Sequence, residues 1–182
     1  MTDGFLFLKR NAPFLSLCLY GTVLYAMSWS ITFYSQIHFQ NIGLTNPVIG
    51  ALNGVETWVS AGVAAVAFIG ERWLKKAGSL IVSGLGFTGS LLLFAISSDP
   101  MQAVTAYLAM SVFISYVELL LDVYLNELLP SSIRATMLSV FSMFVSGGMM
   151  VTFSVIGFLA DRYTLSTALH DVLAIWVPVC LA

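Results

Sequence analysis

Six long apolar runs separated by short polar stretches account for almost the whole chain. Roughly 20 apolar residues of helix cross a bilayer core, so each run of that length predicts one transmembrane span. The runs cover 13–37, 47–70, 77–98, 101–126, 135–160 and 169–182. No formal charge stands between Arg10 and Glu56, and the polar stretch from His38 to Asn46 closes the first run. The charged stretch Glu71, Arg72, Trp73, Leu74, Lys75, Lys76 predicts a loop between the second and third runs, and Ser98-Asp99-Pro100 a tight turn before the fourth. The last run is about 14 residues long, short of a full crossing, so an incomplete sixth helix is expected. Lipid offers no water to open backbone groups, so the expected fold is all-α: a polytopic transmembrane helical bundle forming one domain over 1–182.

Composition strengthens that reading. Hydrophobic residues make up 59% of the 182, charged residues only 9%, and mean hydropathy is +0.93. Soluble domains carry roughly 25% charged residues. The lipid bilayer is therefore the first partner implied, and a net charge of -2 gives no reason to expect nucleic acid. Lys9, Arg10, Arg72, Lys75, Lys76 and Arg134 fall on one side of the predicted topology, with Arg162 alone on the other. Basic loops stay inside, which puts the amino terminus and the loops after the second and fourth spans in the cytoplasm, in an inner or plasma membrane. Met1 to Arg10 shows no small-residue cleavage site and does not read as a signal peptide. Cys18 and Cys180 lie in apolar runs without metal or redox spacing and read as small buried residues.

Few ionisable groups stand inside the runs, and each is expensive in lipid, so each is a functional candidate. Glu118 and Asp122 are four residues apart on one helical face, with Asn126 a further turn on. Two like charges so placed repel, which suits reversible protonation. Glu56 sits near the middle of the second span. These three are the proton-coupling candidates. The competing reading for Glu118 and Asp122 is a structural cluster closing the cytoplasmic ends of two spans, with Arg134 or the first amides of the fifth span as partner. Tyr25, Trp29 and Tyr34 on the first span are candidates for lining a substrate path, against the commoner role of packing or interface anchoring. His38 and His170 read as solvated interfacial histidines before proton relays. Gly50 and Gly54, and Gly147 and Gly148 with Ser139, Ser142 and Ser146 nearby, predict close helix packing. Gly84-Leu85-Gly86-Phe87-Thr88-Gly89 matches a dinucleotide fingerprint by letters but lies within an apolar span, so nucleotide binding is not expected. No nucleophile triad, metal cluster or phosphate loop can be assembled, so neither an enzyme nor a cofactor is expected.

The string Leu129-Pro130-Ser131-Ser132-Ile133-Arg134-Ala135-Thr136-Met137-Leu138-Ser139 resembles the loop between spans ten and eleven of major facilitator superfamily transporters, especially drug-exporter-like members. Phe39 to Leu44 with Ile49-Gly50 resembles the exit of span seven and the start of span eight. Gly157 to Tyr163 resembles the outer end of span eleven, and Gly70 to Gly78 a second-half copy of the signature loop lacking its usual Asp. The resemblance implies the carboxy-terminal half of a twelve-span transporter, a pair of inverted three-helix repeats with the last helix truncated. It implies secondary active transport of a small organic solute, proton-coupled efflux, with protons and solute as partners and a missing amino-terminal half or a second copy completing the cavity. Pro130, Arg134 and Asn126 then form a cytoplasmic hinge or gate. The alternative is a truncated, non-transporting fragment or membrane partner protein.

Overall fold

A computed structural model describes residues 11–163, 167–169, 171, 172 and 174. The described residues are helical apart from short connections, with no strand among them. Helix α1 runs Ala12–Asn41, α2 Asn46–Ile96, α3 Pro100–Leu128 and α4 Arg134–Arg162. Local chemistry explains the boundaries. Asn11 accepts from the Phe14 amide at 3.2 Å, and Pro13 in the first turn has no amide to leave unpaired. Asp99 caps α3 in the same way through Gln102, at 3.0 Å, ahead of Pro100. At the end of α1 the backbone turns through Gly43 at φ +92, a conformation open to glycine at little cost.

All four helices are long and apolar enough to cross a membrane. Helix α2, however, holds 51 residues, and drawn straight it would be about 76 Å long, more than twice the hydrocarbon thickness. Its partners show how it fits. Ser60 meets Ser115 and Glu71 meets Tyr124, so the first arm runs parallel to α3. Ser79 meets Tyr116 and Phe94 meets Tyr107, so the second arm runs antiparallel. The chain reverses at Lys75, the one non-helical residue inside α2, with φ 59 and ψ 173. The second and third runs thus form two antiparallel helical arms, and the loop predicted over Glu71 to Lys76 shrinks to this one residue. Lys75 occupies a region nearly reserved for glycine, at a cost on the order of 1–3 kcal/mol. Lys75→Gly is expected to stabilise the chain by about 1 kcal/mol, measured as a higher detergent concentration for half-unfolding.

The core lies between α1, the second arm of α2, and α3. Phe39, Phe94 and Tyr107 meet edge to face or tilted with centroids 5.3 to 6.1 Å apart. In lipid such contacts stabilise through packing rather than through escape from water. Glycines permit close approach where it is needed: a Cβ on Gly86 would run into the Phe113 ring, and one on Gly148 would stand 3.1 Å from Ala26 Cβ and Thr22 Cγ2. Gly148 therefore has the packing role expected of it, whereas a Cβ on its neighbour Gly147 would meet nothing within 4 Å. Gly50 and Gly54 do not, since a Cβ on either would meet nothing within 4 Å. Both glycines are exposed among the described residues. Helix α4 packs on α1 alone at any density, through Tyr25 on Phe141 and Tyr34 on Phe153, and its only buried described residues are Met137, Phe141 and Ile156. The predicted sixth run, His170 and Cys180 included, falls mostly outside the described residues.

Candidate functional site

The polar residues of α3 form a seam. Tyr107, Ser111, Glu118, Asp122 and Asn126 recur at four- and seven-residue spacings, so they share one helical face. The first arm of α2 lies beside it, held by the Ser115 to Ser60 hydrogen bond at 2.8 Å. Glu56 stands one turn before Ser60. The partly buried Glu118 stands one turn after Ser115, on the same face of α3 as Asp122. The structure thus places Glu56, 62 residues from Glu118 along the chain, on the arm that lies beside the seam carrying Glu118 and Asp122.

A cleft of about 540 Å³ opens between α1, α3 and α4, with Asp122 the one of the three acids in its lining. Tyr25, Asp122, Asn126, Phe141, Ser142 and Ser146 line it, with Leu138 and Val145. Asp122 is the single charged residue of that lining and is exposed to the cleft. Tyr25 crosses from α1 to donate its hydroxyl to the Glu118 carbonyl at 3.5 Å, and its ring meets Phe141 edge-on at 5.8 Å. Asn126 donates to the Asp122 carbonyl at 2.7 Å. A volume of this size falls within the range of small-molecule sites. Among the described residues no three His, Cys, Asp or Glu side chains stand where they could hold a metal ion.

Other candidates lie elsewhere. Trp29 is 54% exposed and is not part of the cleft lining. Tyr34 donates to the Phe153 carbonyl at 3.1 Å and serves to fasten α1 to α4. Arg134 donates to the Leu129 carbonyl at 3.2 Å, bracing the turn that Pro130 begins. It is not the partner of Asp122: among the described residues the ion pair is Lys76 with Glu127. Lys76 also lies over the Tyr124 ring, 4.9 Å from its centroid, and Tyr124 donates to Glu71 at 3.0 Å. This network ties the α2 reversal to the end of α3. His38 is buried rather than solvated, 4.6 Å from Phe94 by centroids and 3.5 Å from Ser97 Oγ.

Sequence reading missed Tyr107 and the Ser60–Ser115 pair. Single hydroxyls in apolar runs carry no mark of which neighbour they will meet. Ser142 and Ser146 were visible as a small, weakly polar face, and the structure places them on the cleft wall.

Four apolar helices of spanning length, one of them folded back on itself, define a helical membrane protein. No family model, curated protein or solved structure matches the chain.

Proposed function

We propose that this chain is the solute- and proton-handling half of a secondary active transporter in the plasma or inner membrane, with its amino terminus in the cytoplasm. The observation that carries the reading is Asp122 on the wall of an open cleft of about 540 Å³, one turn from the partly buried Glu118 on the same face of α3, with Glu56 on the neighbouring arm of α2. Carboxylates within a bilayer are retained where they bind or relay something. Protonating one member of a like-charged cluster relieves repulsion, and a ligand that binds one conformation better biases the bundle toward it. Glu118 is the coupling group in this scheme. Asp122 meets the solute at the cleft wall, and Glu56 modulates both. Tyr25 positions α1 against Glu118. The likeness of the 129–139 string to major facilitator transporters supports the same reading and adds export and a twelve-span whole.

A second reading, a membrane partner without transport of its own, draws on α4, of which only Met137, Phe141 and Ile156 are buried among the described residues. Proteoliposomes containing the chain, alone and with co-purifying membrane proteins, separate the two. A panel of small organic solutes is added while an internal pH dye is followed. Transport predicts that at least one solute moves protons across the vesicle. Proton movement by none of them, in either preparation, favours the second reading.

A further inference from the structure

We propose that the α2 reversal binds one anionic phospholipid, with the phosphate at Arg72 and Lys75 and one acyl chain in the groove between the two arms of α2 and α3. The groove has a volume of about 390 Å³ and is walled by Val63, Val66 and Leu74 on the first arm, Val82 on the second, and Val112 and Tyr116 on α3. From Val63 to Leu74 it follows eleven residues of helix, about 16 Å. Half of a hydrocarbon core of ~30 Å is close to that length, so the groove runs the depth of one leaflet and ends at the charged tip. Trp73, 82% exposed at the tip, is the residue type that sits at the headgroup level.

Charge selects the occupant. Lys76 is engaged by Glu127 and Tyr124, and Glu71 accepts from Tyr124. Arg72 and Lys75 have no ion pair among the described residues. Two such cations at the end of a leaflet-deep apolar groove complement a lipid phosphate and its tail. Ala67, Gly70 and Ser83 also line the groove, so a second helix is the competing occupant, and the two cations without an ion pair at its end favour the lipid.

The test uses Trp73 as its reporter, in a chain carrying Trp29→Phe, Trp58→Phe and Trp176→Phe. Reconstitution with brominated phosphatidylglycerol or brominated phosphatidylcholine gives the relative association of each lipid from quenching. The expected result is a preference of about tenfold for phosphatidylglycerol, reduced to parity by Arg72→Gln with Lys75→Gln. Phosphatidylcholine quenching should not change in that variant, which shows Trp73 still at the interface. Val82→Phe, filling the groove with the cations intact, should also lower the preference. Equal quenching by the two lipids in the parent, or a preference that survives both variants, overturns the proposal. So does a disulfide formed between two copies through Val82→Cys, which would put a second chain in the groove.

Discussion

In Glu118→Gln, solute accumulation driven by a pH gradient is expected to fall to the leak rate, while exchange of labelled for unlabelled solute continues. Glutamine keeps the shape and hydrogen-bonding capacity of the side chain but cannot take up or release a proton. If Glu118 couples proton movement to the change of conformation, its loss uncouples the gradient without emptying the cleft, whose lining is supplied by Asp122, Tyr25 and α4. The two assays therefore separate coupling from binding. Asp122→Asn should act the other way, weakening solute exchange itself, because Asp122 is the charge on the cleft wall. Gradient-driven accumulation unchanged in Glu118→Gln removes that residue from the mechanism.

Phe94→Ala carries the largest expected loss of stability. Phe94 is wholly buried and touches His38, Phe39 and Tyr107, so truncation empties the junction between α1, α2 and α3. In a soluble core such a change costs ~3–5 kcal/mol. Lipid supplies little of the transfer part, because a released ring remains among hydrocarbon, which leaves chiefly the cavity contribution. A loss of about 2–3 kcal/mol is expected, read from unfolding in mixed detergent micelles. Lys76→Gln should do far less, about 1 kcal/mol or below, since both members of its ion pair are more than half exposed.

Much of the architecture was legible because hydrocarbon imposes a length on every span. Apolar runs of that length, with the Ser98-Asp99-Pro100 turn before the fourth, locate the helix ends of α1 and α3 to within a few residues. Lys75 was not legible as the turning point. Its backbone conformation is one that glycine adopts freely, and the nearest glycine, Gly78, lies inside the second arm. Facing was harder still. A helix in lipid is apolar all round, so no polar side marks which residues turn inward, and Tyr25 on the cleft reads like Trp29 outside it. The i and i+4 spacing of Glu118 and Asp122 made their shared face plain, but Glu56 joins them only because α2 folds back. Gly50 and Gly54 show the converse: a small-residue pair promises close packing only where a second helix is present to pack.

The reversal at Lys75 lays the first arm of α2 along the polar seam of α3. Ser60 Oγ and Ser115 Oγ are 2.8 Å apart across that contact, one turn from Glu56 and Glu118. With Cys18 and Cys180 replaced by alanine, Ser60→Cys and Ser115→Cys should form a disulfide within one chain when membranes are mildly oxidised. Thiols that stay free, or that link only one chain to another, would contradict the arrangement and with it the carboxylate cluster.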